Sequence, residues 1–225
     1  MNRTTFVLAA SLAALALGCA PRSSGTAASP KAATAATAPK ANLVYLEGSV
    51  KIDGAAAELG QTLGPGFSVE TGANSVCDVV FGGKNIFRVG QNAFVKVDFT
   101  KQAPEFELQR GGLTSVLKKL DLIAGQDSYR VRTNTAVAGV RGTSFCIWAD
   151  EKSTYVCACN GSVHTIDAKG SNELSLKAAH HTARIYSLAG AGETVAEAGI
   201  LHHDDATVQA IATKIGYTVD WTVAD

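Results

Sequence analysis

From residue 42 onward, apolar and polar residues alternate with a period of two over short runs. Runs such as Leu43–Leu46 and Phe94–Phe99 are separated by turn-forming pairs such as Asp53-Gly54. A period of two places successive side chains on opposite faces of a strand, and glycine, proline, asparagine and aspartate interrupt such strands. The pattern predicts a mainly β protein: a single domain of short antiparallel strands, arranged as a sandwich, roll or solenoid, over residues 42–176.

Beyond residue 177 the pattern changes. Asp204 or Asp205 can cap a short helix that ends at Gly216. The apolar positions of this helix recur every three or four residues, and they are Val208, Ile211, Ala212 and Ile215. Residues 217–223 alternate again, like a final strand. Because the apolar stripe must be buried, residues 177–225 are predicted to form a C-terminal extension that docks on the β domain.

Two of the apolar runs predict a hairpin. Phe145–Ala149 and Thr154–Ala158 flank the polar segment Asp150–Ser153, which forms the turn. In this register the opposed pairs on one face are Cys146 with Cys157, Trp148 with Tyr155, and Ser144 with Cys159. The other face carries Phe145, Ile147, Val156 and Ala158.

The residues that lead into this hairpin carry a motif. Tyr129–Phe145 runs YRVRTNTAVAGVRGTSF and resembles the V-x-T-P-T-A-x-A-x-V-R-G-T-x-F signature of the FecR domain family, with Asn134 in place of the usual proline. The most specific part of the motif is Val140, Arg141, Gly142 and Thr143. The resemblance extends from about residue 43 to residue 166. It implies an extracytoplasmic, mostly β domain to which no catalytic residue can be attached.

The same resemblance bears on signalling. Members of the FecR family transmit transport signals to a sigma factor through a transmembrane helix and a cytoplasmic segment. The sequence predicts neither of these parts here, so a signalling role would require a partner that crosses the membrane.

Residues 1–18 have the pattern of an export signal. Arg3 is followed by an apolar run of twelve residues, Phe6–Leu17, and by Gly18-Cys19. Twelve residues are fewer than the roughly 20 that a membrane-spanning helix needs. The end of the run resembles a bacterial lipoprotein processing box, which implies that residues 1–18 are a signal peptide and that Cys19 is acylated. Ala20 favours sorting to the outer membrane; the alternative is an ordinary secreted protein cut after Gly18 or Ala20.

Residues 19–41 are predicted to form a disordered tether. Residues 20–41 contain no aromatic residue and no carboxylate, so they cannot bury enough apolar surface to offset the entropy lost on folding. A flexible chain of this length would hold the folded part on the order of 25 Å from the membrane surface.

Composition excludes several classes of protein. Twenty Lys and Arg balance twenty Asp and Glu without a basic patch, which argues against binding of nucleic acid. The sequence has no phosphate-binding loop, hydrolase elbow or zinc-protease motif, so no enzymatic activity is predicted. The expected function is a binding, scaffolding or signalling-accessory module of the bacterial cell envelope. We expect a lipid anchor in the outer membrane, with the protein facing the periplasm, and an unknown envelope protein or cell-wall ligand as its partner.

The cysteines allow three interpretations. If Cys19 is acylated, four thiols remain, at Cys77, Cys146, Cys157 and Cys159. In an oxidising compartment they can form disulfides, and the hairpin register favours a Cys146–Cys157 bridge. They can also remain free and buried, and Cys77 is expected to pack in the core because it alternates with Val79 and Phe81.

The third interpretation, a metal site, gives the alternative function, a metal-binding or thiol-redox protein. Cys157 and Cys159 lie on the same face of one strand, so both can ligate zinc or another soft metal. Cys146 and one of His180 or His181 would complete this set. Zinc is therefore the candidate cofactor, whereas the structural interpretation requires none.

Two further groups of residues have a structural and a functional interpretation. His202-His203-Asp204-Asp205 is interpreted as a helix cap flanked by exposed histidines rather than as a metal cluster. Trp148 and Tyr155 either form a platform for a sugar or peptide or are covered by the C-terminal extension.

Overall fold

The protein is mainly β, as predicted, and the residues that the structure describes include one short helix near the C-terminus. The computed structural model describes residues 38–101, 103–117, 129–189 and 192–223. The strands are β1 (Ala41–Glu47), β2 (Val50–Ile52), β3 (Ala55–Ala56), β4 (Thr62–Leu63), β5 (Gly66–Thr71), β6 (Val76–Phe81), β7 (Asn85–Val89), β8 (Phe94–Asp98), β9 (Glu105–Leu117), β10 (Tyr129–Arg132), β11 (Ala136–Ala149), β12 (Ser153–Asp167), β13 (Glu173–Ala178), β14 (Thr182–Ala189) and β15 (Gly192–Ala198), and the helix is α1 (Asp205–Thr213). The predicted signal peptide, Cys19 and most of the tether lie outside the described residues.

Three long strands, β9, β11 and β12, change partners along their length. The first half of β9 pairs with β8 and β10, and its second half pairs with β7 and β11. β11 passes from β10 to β9, and β12 passes from β14 to β13. Pairing among the described strands is antiparallel except between β9 and β10. These changes of partner fold one continuous sheet back on itself into a small, barrel-like closure.

The change of partner in β9 depends on a glycine. Gly111 has φ +82°, and a Cβ atom at this position would lie 2.5 Å from Cα of Ala93. A residue with a side chain would therefore be strained and would clash with the backbone of the neighbouring strand. The register of β8 against β9 shifts at the adjacent Phe94 and Val95.

The main core lies inside this closure and is rich in aromatic rings. Phe106 stacks on Tyr129 with ring centroids 4.0 Å apart, and Phe87 meets Phe106 edge to face at 5.1 Å. Cys77 is fully buried in the same cluster, where burial raises the pKa of its thiol to about 12. The prediction that Cys77 packs in the core is confirmed.

The predicted hairpin register is confirmed near the turn, from Phe145 to Ala149, but farther from the turn the observed pairing differs from it. Cys146 pairs with Cys157, and Trp148 pairs with Tyr155. The predicted pairing of Ser144 with Cys159 is wrong, because Ser144 pairs with Asn160 instead. The cause is an irregularity in β11 between Arg141 and Phe145, which offsets the register beyond the tip.

A second hydrophobic cluster lies on the outer face of the sheet and is covered by the C-terminal segment. We call residues 199–223 the C-terminal cover. Asp204 caps α1 by accepting a hydrogen bond from the backbone N–H of Thr207, as predicted. The buried apolar residues of α1 are Val208, Ile211 and Ala212, and they pack against Ile86, Val116, Cys146, Tyr155, Cys157 and Cys159.

The last part of the cover is irregular, so the prediction of a final strand over residues 217–223 is wrong. Side chains satisfy its backbone in place of a neighbouring strand. The amide of Asn160 donates hydrogen bonds to the carbonyl oxygens of Asp220 and Val223. The side chain of Gln209 donates to the carbonyl of Tyr217 and accepts from the N–H of Val219.

A buried carboxylate fixes the far end of α1. Asp78 is fully buried on β6 and accepts two hydrogen bonds from Arg88 on β7. Lys214, directly after α1, forms a second salt bridge to the same carboxylate. A charge removed from water in this way needs such partners, so the salt bridges of Asp78 hold the cover against the sheet.

Within the described part of the chain, no helix is long and apolar enough to cross a bilayer.

We expect Ile211→Ala to lower the free energy of unfolding by about 2–4 kcal/mol, because it removes a fully buried side chain between α1 and the sheet. Chemical denaturation followed by circular dichroism measures this change. Ala210→Ser, on the exposed side of the same helix, is the control and should change stability by less than about 0.5 kcal/mol. Equal effects of the two substitutions would show that the cover does not dock as described.

Candidate metal centre

Four side chains converge where the C-terminal cover meets the sheet. Cys157 and Cys159 lie on β12, His181 directly precedes β14, and His203 belongs to the cover. Their two sulfur and two nitrogen donor atoms all lie within 4.8 Å of one another. We call these four residues the Cys-His cluster.

Local structure explains how each residue reaches the cluster. The two cysteines are two residues apart on a strand, so they point to the same face. His181 has φ +50°, and its N–H donates to the carbonyl of Cys159 at 2.9 Å. This left-handed turn places His181 beside the cysteines. His203 precedes the helix cap Asp204, so the docking of α1 positions it.

Four of the six distances between donor atoms are close to those of a tetrahedral zinc site, and the other two are at most 4.8 Å. Zinc binds sulfur at about 2.3 Å and nitrogen at 2.0–2.1 Å, which gives roughly 3.8 Å between two sulfurs, roughly 3.6 Å between sulfur and nitrogen, and roughly 3.4 Å between two nitrogens. The sulfurs of Cys157 and Cys159 are 4.0 Å apart. Nδ1 of His181 lies 3.4 Å from Sγ of Cys157, and Nε2 of His203 lies 3.2 Å from Sγ of Cys159. The two nitrogens are 3.3 Å apart.

Each histidine has a second partner that orients its ring. Nε2 of His181 lies 2.7 Å from Oδ1 of Asp205, and Nδ1 of His203 lies 2.7 Å from the carbonyl oxygen of Leu201. Both partners accept a hydrogen bond from the ring N–H that faces away from the cluster. The inward nitrogens therefore face the cluster, and a bound metal would replace the proton that each of them carries in the imidazolium form.

The two cysteines are buried and the two histidines are partly buried, and the four groups shift one another's protonation. The hydrogen bond from Cys159 lowers the pKa of Cys157 to about 3, and the two histidines act in the same direction. Burial raises the pKa of Cys159 well above its usual range. Burial alone would lower the pKa of His203, but hydrogen bonds with Cys146 and Cys157 raise it to about 10. The cluster therefore holds a thiolate beside an imidazolium, and the charge of a bound cation would ionise the second thiol and replace the imidazolium proton.

The structure brings together three of the predicted metal ligands and adds one. Cys157, Cys159 and His181 are in the cluster, whereas His180 is half exposed and contacts Asp205 at 2.9 Å. Cys146 lies next to the cluster but is not one of its four residues. His203 was missed because the sequence places it beside a helix cap without showing where that helix docks.

Trp148 and Tyr155 are covered, as one of the two interpretations expected. His202 stacks on Trp148 with ring centroids 4.4 Å apart and planes inclined by 4°. The hydroxyl of Tyr155 donates to the carbonyl of Gly199 and accepts from the N–H of Leu201. A platform for sugar or peptide does not fit this arrangement.

The remaining sequence predictions concern the disulfide and the family motif. Cys146 and Cys157 are directly opposed, but their sulfurs are free thiols in this structure, so the disulfide stays a prediction. In the family motif, Val140 is buried in the main core. The side chains of Arg141, Gly142 and Thr143 lie outside the described residues.

Comparison with known proteins identifies the domain. Residues 67–164 match the family model described as FecR protein. No curated protein sequence matches this chain. Two crystal structures of a candidate anti-sigma factor from Parabacteroides distasonis, at 2.50 and 1.65 Å resolution, resemble it with TM-scores of 0.49 and 0.48 and 15% sequence identity. The alignments cover 59% and 58% of this chain and 60% and 59% of those chains.

The matched segment begins in β5 and ends within β12, so it includes both cysteines of the cluster, while His181 and His203 follow it. The signature that ends in Phe145 lies within the same segment. Residues 67–164 of this chain therefore form a domain of the FecR family.

Proposed function

We propose that this protein is a non-catalytic, lipid-anchored FecR-domain accessory of the bacterial envelope that holds a soft divalent metal, with zinc as the first candidate. The metal is bound by the Cys-His cluster. The observation that carries the proposal is a set of two sulfurs and two nitrogens within 4.8 Å of one another, at distances that fit tetrahedral zinc.

The chemistry of the donors favours zinc over harder cations. Thiolate and imidazole are the ligands of zinc and other soft or borderline metals, whereas calcium and magnesium require oxygen ligands. The second partners of the two histidines, Asp205 and Leu201, are also those typical of zinc sites.

The site is closed, which argues for a structural or sensing role. Catalytic zinc keeps one position open for water or substrate, whereas structural zinc takes four protein ligands. Here Cys157, Cys159, His181 and His203 supply four donors, from two buried cysteines and two partly buried histidines. This agrees with the lack of catalytic motifs in the sequence.

Bound metal would join parts of the chain that are distant in sequence. Two ligands belong to β12, His181 belongs to the turn before β14, and His203 belongs to the cover. The two hydrophobic clusters supply a core without metal. We therefore propose that the metal stabilises the docked position of the cover, in particular of residues 199–205, and that the whole domain folds without it.

The envelope location rests on the sequence and the family. The export signal, the acylated Cys19 and the tether would place the FecR domain near the outer membrane, on its periplasmic side. There it would bind an envelope protein or a cell-wall ligand and support signalling through a partner that crosses the membrane.

We expect His203→Ala and Cys159→Ser each to abolish stoichiometric binding of zinc, because three ligands no longer close the tetrahedron. Metal analysis after dialysis measures the zinc content. Cobalt substitution provides a second readout, since tetrahedral sulfur-bound cobalt absorbs in the visible range. His164→Ala is the matched control, because His164 lies at the surface and contacts Glu173. Full zinc content in His203→Ala would contradict the proposed ligand set.

Removal of the metal should accelerate hydrogen exchange in residues 199–205. A ligand present at 100 times its dissociation constant lowers the open population roughly a hundredfold, and the amide of Leu201, bonded to Tyr155, reports on this opening. Exchange measured by mass spectrometry with zinc and with a chelator makes the comparison. His203→Ala should show no difference between the two conditions, and identical exchange in the wild type would refute fastening by metal.

Lipid anchoring predicts that Cys19 carries acyl chains in the mature protein. Intact mass of the protein purified from the envelope would show cleavage after Gly18 together with the added acyl mass. We expect Cys19→Ser to shift the protein from the membrane fraction to the soluble envelope fraction. An unmodified Cys19, or a protein that stays with the membrane after this substitution, would contradict the anchor.

A further inference from the structure

Cys157 has a second partner besides the proposed metal. Cys146 lies directly opposite it on β11, and both side chains belong to the hydrophobic cluster under the cover. We infer that the Cys146–Cys157 disulfide and the bound metal exclude each other, so that a disulfide-bearing oxidant converts the metal site into a bridged, metal-free site. This inference rests on the proposed function and adds its regulation.

The geometry selects Cys146 as the bridging partner. Directly opposed residues of antiparallel strands have Cα atoms roughly 4.5–5.5 Å apart, within the range of about 4.4–6.8 Å that disulfides require. Cys159 is the competing partner, with its sulfur 4.0 Å from that of Cys157. Two residues apart on an extended strand, however, Cα atoms are separated by roughly 6.5–7 Å, at the outer limit for a bridge.

Cys146 interacts with the ligand His203, but it is not one of the four proposed ligands, so bound metal would not occupy its sulfur. It is buried, and its sulfur accepts a weak hydrogen bond from the hydroxyl of Thr114 at 3.5 Å. It lies outside the group of four donor atoms. A thiol placed beside a thiolate ligand, without itself being a ligand, is a resolving cysteine for oxidation of that ligand.

The exchange balances with a disulfide as the oxidant. The Cys157 thiolate attacks one sulfur of the oxidant and releases the first thiolate, leaving a mixed disulfide. Cys146 then loses its proton and attacks the Cys157 sulfur, and the second thiolate leaves. The proton of Cys146 passes to a released thiolate, and two electrons move from the cysteine pair to the oxidant. Cys157 now has no thiolate for the metal, so the metal dissociates. The thiolate of Cys159 that is left behind takes up a proton from water.

The cover controls access to this reaction. Cys146 and Cys157 are at most 1% exposed, so an oxidant reaches their sulfurs only when the residues above them move. His203 is both a ligand and part of these residues. Bound metal therefore slows oxidation, and oxidation in turn removes the metal that fastens His203. The reduced, metal-bound state forms when metal is supplied before the oxidant, and the bridged, metal-free state forms when the oxidant acts first.

The test compares zinc release with formation of the bridge. Zinc-loaded wild type, Cys146→Ser and Cys77→Ser proteins are equilibrated in glutathione buffers of increasing oxidised fraction. A chromogenic chelator measures released zinc, and peptide mapping without reductant locates the disulfide. Cys77 is the matched control because it is buried in the other hydrophobic cluster.

We expect wild type and Cys77→Ser to release one zinc for each Cys146–Cys157 bridge, and Cys146→Ser to keep its zinc under the same conditions. Release from Cys146→Ser equal to that of wild type, or a bridge mapped to Cys157 and Cys159, would overturn the inference. Stoichiometric zinc retained by bridged wild type would overturn it as well. A reduced wild type that takes up no zinc would instead refute the proposed function, and the exchange with it.

Discussion

The structure depends on burial of both faces of the β11–β12 hairpin. One face contributes Phe145, Ile147, Val156 and Ala158 to the main core, and the other carries Cys146, Trp148, Tyr155 and Cys157 under the C-terminal cover. A sheet of this kind with one apolar face open to water would bind other chains. The cover removes that surface, and in doing so it brings the buried thiols together with partly buried imidazoles. The Cys-His cluster is thus a consequence of how the second face is covered.

The protonation states of the cluster depend on the same burial. In water, the thiols of Cys157 and Cys159 would titrate close to their ordinary values, and the imidazole of His203 would be mostly neutral. Packed together away from solvent, they stabilise one thiolate and one imidazolium. A divalent cation satisfies this set better than protons do, because it neutralises two thiolates at once. The outer hydrogen bonds to Asp205 and Leu201 fix the rings in advance, so little conformational entropy opposes binding.

Several features could be predicted from the sequence because they depend on local periodicity. The alternation in residues 145–158 gave the two faces of the hairpin, and the three- and four-residue spacing of Val208, Ile211 and Ala212 gave the buried side of α1. The FecR signature indicated the family that the match to residues 67–164 supports. The offset of Ser144 and the irregular segment 217–223 were not predictable, because a bulge and side-chain capping by Asn160 leave no periodic signal.

By itself, the sequence determined which residues share a strand face or a helix stripe: Cys157 with Cys159, and Cys146 opposite Cys157. These relations follow from the period of the backbone and from a short turn, so they need no knowledge of distant parts of the chain. Only the tertiary structure decided that His203, 44 residues from Cys159, completes the cluster and that His180 does not. That choice depends on where the buried stripe of α1 docks and on the left-handed turn at His181, and both are set by packing between segments that are far apart in sequence.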